Sequence, residues 1–232
     1  MTTRSQPAAK TLTVNGLRLR YLEWGRPEAL PIVCVHGYTS SAEAFNAVAR
    51  RLEDRAHLIA MVYAAQHADR LRGLVLNDIG PDVEPGSSRI TGLVRSRPAD
   101  FASLDEAMEY RRETSPITAA RPLEDQEETA RGVLRERPDG RWAWKMDPAY
   151  IEQRIARGAP VRPQLWPMLE TLPCPAQVVW GTDSDVLSEA QAKRMVAALP
   201  KGELVSVPGI GHAPTLVEAP VLTALDRLLA MV

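Results

Sequence analysis

The sequence predicts an α/β fold in which buried strands alternate with helices, interrupted by an inserted helical segment. Three observations carry this. Pro31–Val35, Gly73–Asn77 and Pro175–Trp180 are short apolar runs of the kind found in strands buried on both faces. Stretches with apolar residues at helical spacing follow the strand-like runs. Between about Val83 and Trp166 the character changes: charged helical stretches such as Leu104–Thr114 alternate with prolines, among them those at 98, 116, 122, 138, 148, 160 and 163.

In chain order, Thr11–Val14 and Leu17–Trp24 alternate apolar and polar residues around Asn15-Gly16, a strong hairpin signal. Pro31–Val35 is the next strand. Ser40 or Ser41 can N-cap a helix running to about Leu52, with Ala44, Val48, Ala49 and Leu52 on one face. His57–Ala60 begins like a strand, whereas Met61–His67 looks like the second half of a helix. The pattern from Asp54 to Leu71 fits either a strand followed by a helix or one fused helix. Gly73–Asn77 is again a buried strand, followed by Asp78. After the insertion come a strand at Pro175–Trp180, a helix at Ser188–Leu199, a strand at Glu203–Val207 and a closing helix at Glu218–Met231. The closing helix points Val221, Leu222, Leu225, Leu228 and Leu229 inward.

Composition narrows the function classes. The 232 residues are 45% apolar and 25% charged, ordinary values for one globular domain or a domain carrying an insertion. A net charge of −1 gives no basis for nucleic acid or an anionic membrane as partner. Met1 to Lys10 is polar and lacks the apolar core of a signal peptide. No run approaches the roughly 18 apolar residues of a membrane helix. Cys34 and Cys174 lie in or beside strand-like runs and read as buried free thiols, not as a disulfide framework or metal site. The expectation is a cytoplasmic protein without metal or cofactor.

Three short motifs bear on chemistry. His36-Gly37-Tyr38 ends the first buried strand. Gly181-Thr-Asp183-Ser-Asp185-Val-Leu187 puts two acids just past another. Gly209-Ile-Gly211-His212-Ala-Pro214 sets a histidine in a glycine-rich loop before the last helix. In this order they resemble the α/β-hydrolase fold family, in its capped esterase- or lactonase-like branch, where nucleophile, acid and histidine follow one another along the chain. The resemblance implies a doubly wound, mostly parallel sheet with a helical cap. Residues 1–82 and 167–232 would form the core and 83–166 the cap. It also implies roles. His212 would be the general base. Asp185 would hold the imidazole in the productive tautomer, with Asp183 as competitor. The backbone N–H of Tyr38 would line the oxyanion hole, with His36 structural. Asp78 is an alternative acid position in some relatives, but reads first as a turn aspartate. Trp142 and Trp144 pack within the cap or line an apolar acyl pocket.

The family also requires a Gly-x-Ser-x-Gly elbow between His36 and Asp185, and the sequence contains none, nor a Cys or Asp version. A crossover helix, the central strand and the elbow would occupy on the order of 50 residues at mean element lengths. Here His57–Ala60 runs directly into Met61. Leu58-Ile59-Ala60 fits both the end of one strand and the first turn of the helix after an elbow, as an in-frame deletion between similar segments would leave it. The expected fold therefore lacks the central strand and the elbow. The two strand edges thereby exposed invite homo-oligomerisation. Ser40 and Ser41 are the nearest hydroxyls, and helix capping accounts for them.

The functional expectation is a carboxyl-ester or related hydrolase by ancestry, catalytically impaired for want of a nucleophile, with a small apolar ester-like ligand. The alternatives are a non-catalytic binding module that uses the cap pocket, and an enzyme with an unrecognised nucleophile, such as a water activated by His212.

Overall fold

The computed structural model describes residues 5–14, 16–37, 40–60, 71–82, 92–147, 149 and 165–232. β1 (Ala8–Val14) and β2 (Leu17–Trp24) form the expected antiparallel hairpin, with Val14 opposite Leu17. β3 is Leu30–Cys34 and β4 is Ala56–Ala60. β4 lies between β2 and β3. It pairs antiparallel with β2 and parallel with β3, Leu30 opposite Ala56 and Cys34 opposite Ala60. The fused-helix alternative for this stretch is thus overturned up to residue 60, because both edges of the segment are satisfied by strand neighbours. Residues 61–70, where the second half of a helix was expected, lie outside the described residues.

Between β3 and β4 the expected helix is divided. A 3₁₀ turn at Ala42–Phe45 leads into α1, Asn46–Leu52, which buries Val48, Ala49 and Leu52. Ser41 occupies the N-cap position but makes no capping bond.

A second sheet has the order β10-β9-β5, all parallel: β5 is Leu74–Asn77, β9 is Ala176–Gly181 and β10 is Gly202–Val207. β9 is buried at every residue, the signature of a strand covered on both faces. Its odd and even side chains serve different cores. Val179 joins Leu22, Trp24, Val48, Ala49, Val205, Val207, Val221 and Leu225 in one cluster. Val178 and Trp180 join Leu187, Ala192, Met195 and Leu199 in another. The first cluster draws on both sheets, so apolar contact unites them although no strand pairing between β3 and β5 is found among the described residues. Beside these edges Val33, Val35 and Ile79 are 47%, 42% and 56% exposed, unusual for such residues next to a core.

The second sheet is flanked by α6 (Glu189–Ala198), which Ser188 caps by accepting from the Gln191 N–H, and by α7 (Ala219–Ala230). On α7, Val221, Leu225 and Leu228 are buried as expected, whereas Leu222 and Leu229 are half-buried.

The inserted segment is only partly helical. α2 (Leu104–Thr114), α3 (Pro116–Ala119) and α4 (Leu123–Val133) are joined by a small antiparallel sheet, order β6-β8-β7, made of Asp100–Phe101, Trp142–Trp144 and Leu134–Glu136. The Asp139-Gly140 turn between β7 and β8 is a hairpin signal that a helical reading of this stretch passes over. Trp142 and Trp144 pack within the cap. Trp144 meets Phe101 edge-on at 5.7 Å between ring centroids and donates its indole N–H to Pro98 O at 2.9 Å. Arg131 lies over Trp142.

The cap is held to the core through α4. The Arg50 guanidinium bonds Glu128, lies 3.7 Å from Asp125 and stacks over Trp24. Asn46 donates to Glu128 at 3.0 Å. Gly132 lets the helix approach closely, since a methyl group there would lie 2.3 Å from Ser41 Oγ. At the other end the chain's outward and return passages meet. Trp166, on α5 (Leu165–Glu170), donates to Asp82 at 2.9 Å, and Arg194 covers its ring at 3.7 Å.

Phe101 anchors the cap's own core with Met108, Ala130 and Leu134. Phe101→Ala should cost about 3–5 kcal/mol locally. Urea unfolding followed by tryptophan fluorescence, which samples Trp142 and Trp144, should show the loss. An unchanged midpoint would mean that this cluster does not hold the cap together.

Candidate functional site

The carboxyl ends of β5, β9 and β10 converge, and the loops that leave them build one polar cluster. Ligand sites of open α/β sheets lie at such strand ends. β5 ends in Asn77, and the next residue, Asp78, takes a left-handed conformation (φ 53°) that aspartate tolerates better than most residues. Its N–H is tied to Val179 O at 2.8 Å. The kink turns its side chain back under the sheet, where Asp78 is 0% exposed.

A buried carboxylate needs donors, and three elements supply them. Gly181 N–H, at the end of β9, donates to Oδ1 at 3.2 Å. Ser184 Oγ donates to Oδ2 at 2.6 Å. His212 Nδ1 lies 2.8 Å from the same Oδ2. Because the carboxylate only accepts, Nδ1 carries the proton and Nε2 keeps the lone pair. The imidazole is thereby fixed in the tautomer of a general base. Its side chain is about a quarter exposed.

The histidine loop is secured to the β9 turn. Thr182 N–H donates to Val207 O, Asp183 N–H to Ile210 O, and Gly209 N–H to Thr182 Oγ1. Asn77 Nδ2 bonds Pro214 O at 2.9 Å from the other side. The loop passes so close to β9 that Gly181 has no room for a side chain: an added methyl would lie 2.3 Å from Ile210 O.

The geometry brings Asp78, not Asp185, to the imidazole. Asp185 was expected to hold the imidazole, but the carboxylate on Nδ1 is Asp78. The reason lies in the intervening residue. Ser184 turns inward, donating to Asp78 and accepting from the Val186 and Leu187 N–H groups at 3.1 Å. Asp183 and Asp185, on either side of it, are directed outward and exposed. The reading of Asp78 as a turn aspartate captured its backbone and missed its side chain. An aspartate directly after a buried strand was the available signal.

Other candidates fall out on chemical grounds. The Ser184 hydroxyl spends its proton on Asp78. Ser41 bonds Glu43, whose carboxyl is pushed up by burial but held below its usual range by Ser41, its own backbone and Arg20. Burial pushes the Cys34 thiol up to about 12, so it is a poor source of thiolate near neutrality. Cys34 and Cys174 are both free. His36 is exposed, with Nδ1 3.0 Å from Gly37 O. Tyr38, expected to line the oxyanion hole, lies outside the described residues. Among the described residues no cluster of His, Cys, Asp and Glu could hold a metal, and no helix is long and apolar enough to cross a membrane.

Known proteins share this framework. An α/β hydrolase from Novosphingobium aromaticivorans superimposes with a TM-score of 0.81 at 26% identity, covering 97% of this chain and 99% of that one. The chain has the α/β-hydrolase fold. E-2-(acetamidomethylene)succinate hydrolase, at 20% identity, has the same fold with a TM-score of 0.78, over 97% of this chain and all of that one. A 3-hydroxybutyrate-oligomer hydrolase from Cupriavidus necator is 30% identical over 171 residues, 69% of this chain. The chain spans 57% of that relative's length. No family model matches the sequence.

Replacing the buried acid tests the cluster. Asp78→Ala orphans Gly181 N–H, Ser184 Oγ and His212 Nδ1, at about 1–3 kcal/mol for each buried donor left unsatisfied. Urea unfolding should show a loss of at least the lower figure. A variant as stable as the parent would remove Asp78 from the centre of the cluster.

Proposed function

We propose that this chain descends from enzymes that cleave small carboxyl esters and that it retains their base while lacking their nucleophile. The observation that carries the reading is the His212–Asp78 pair, oriented as a general base in a sequence with no Gly-x-Ser-x-Gly. An imidazole held through Nδ1 offers Nε2 to take a proton from a hydroxyl and return it to the leaving group. Without an activated hydroxyl the covalent step has no starting point. The Tyr38 backbone N–H is the proposed oxyanion donor, and the donor that normally follows the nucleophile is lost with the elbow. The Cupriavidus relative's name favours a hydroxyacid ester as the ancestral substrate. Binding without turnover is the second reading, favoured by the cap's ion-paired seat on the core, which keeps the cap in place in a sequence without the nucleophile.

The intact chain should hydrolyse p-nitrophenyl butyrate no faster than its His212→Ala variant. A fall of about tenfold or more on that substitution would show a working catalyst, since a positioned base contributes at least that much.

Restoring the missing parts tests the ancestry. A segment inserted between Ala60 and Met61, supplying a crossover helix, a strand and a Gly-x-Ser-x-Gly turn, should bring back esterase activity. A complete catalytic unit is worth on the order of a million-fold in rate. In that background His212→Ala should abolish the activity, and Asp78→Asn should reduce it more than Asp185→Asn. A larger effect at Asp185 would return the acid's role to that residue. A folded, inactive product would sink the assignment of His212 as a latent base.

A further inference from the structure

Three donors meet the Asp78 carboxylate, and they are not equal. Gly181 N–H reaches Oδ1 at 3.2 Å, the long end of the hydrogen-bond range. Ser184 Oγ lies 2.6 Å from Oδ2, within the range of a charge-assisted bond from a hydroxyl to a carboxylate. His212 Nδ1 lies 2.8 Å from that same oxygen. The shortest of these contacts is therefore made by a hydroxyl, and it is made to the oxygen that the imidazole uses.

That hydroxyl has one orientation open to it. Its oxygen accepts the Val186 and Leu187 N–H groups at 3.1 Å each, so both acceptor positions are filled and its single proton points at Asp78. The residue is also held from behind. Ser184 N–H donates to Gly181 O at 2.9 Å. Leu187 is fully buried in the cluster of Trp180, Ala192 and Met195, and its carbonyl accepts the Trp180 indole N–H at 2.9 Å. Ser184 is thus a rigid link between an apolar core and a carboxylate. A carboxyl group turns readily about its terminal bond, and the long Gly181 bond alone is a weak check on that rotation.

We propose that Ser184 is a positioning residue: its hydroxyl pins Asp78 Oδ2 where His212 Nδ1 meets it, and so keeps the imidazole in the Nδ1–H tautomer. An unpinned carboxylate swings Oδ2 away from Nδ1. A neutral imidazole released from that bond is free to carry its proton on Nε2, the nitrogen that a base must leave bare. The proposal rests on the reading of His212 as a retained base, and it assigns Ser184 no contact with a substrate.

Nitrogen NMR of the full chain, labelled at histidine, tests this directly, because the protonated and bare nitrogens of a neutral imidazole give separate signals. The signals of His212 are identified among those of the four histidines by their loss in His212→Gln. In mildly alkaline solution the parent should hold the Nδ1–H form. Ser184→Ala should raise the share of the Nε2–H form by about fivefold, the equilibrium value of one ordinary hydrogen bond. Ser184→Thr, which keeps the hydroxyl, should restore the parent's signals, and Ser184→Cys, a weaker donor, should fall between. The cysteine variant carries the test if the alanine variant does not fold. Ser188→Ala, which removes the cap of α6 beside the same loop, should lower the melting temperature and leave the tautomer alone. If Ser184→Ala also melts earlier with the His212 signals unchanged, its role is merely structural and the proposal falls. An equal change of tautomer in Ser188→Ala would overturn it too. A parent with its proton on Nε2 would overturn the base reading and the positioning role together. A parent in the Nδ1–H form that no substitution of Ser184 disturbs would overturn the positioning role alone.

Discussion

The buried Asp78 carboxylate is the constraint around which the polar end of this molecule is arranged. It stands at the end of β5 and draws in the end of β9 through Gly181, the following turn through Ser184 and the loop after β10 through His212. A charge taken fully out of water is tolerable only where hydrogen-bond donors meet it. The loops therefore have little freedom. Thr182, Asp183 and Gly209 lace the histidine loop to the turn, and Gly181 lets the two backbones touch. The orientation of the imidazole is a by-product of satisfying the acid.

The interior is organised differently. β9 faces two apolar clusters, one shared with the hairpin strands and α1, the other with α6. The first cluster brings two sheets into one core through side chains, without a backbone ladder joining them among the described residues. Apolar burial is indifferent to direction and depends on area removed from water. It can therefore bridge a discontinuity that hydrogen-bonded strands could not.

Much of this architecture was legible in the residues. Continuous apolar runs marked β3, β5 and β9, Asn15-Gly16 marked the first hairpin, and Ser188 marked the start of α6, because each depends on local chemistry. His212 stood out for the same reason: a histidine directly after a Gly-x-Gly turn beyond a strand has few structural uses. Its partner was not. Asp78 and Asp185 are both aspartates just past buried strands, and the choice between them depends on Ser184 turning inward, a contact 106 residues apart in sequence. The cap's small sheet was missed because Trp142–Trp144 is too short for its alternation to compete with the helical stretches around it. Proline spacing announced a change of character there without saying which elements would fill it.

The contact between Asp82 and Trp166 has a consequence for how this chain tolerates variation. It fastens together the two points at which the intervening 83 residues depart and return. Once such a neck is closed, the entropy of the loop beyond it grows only with the logarithm of its length. Additions or losses within that stretch then bear lightly on the layers beneath, provided that Arg50 still finds its acids on α4. A lineage can rework its cap while the strands below stay as they are.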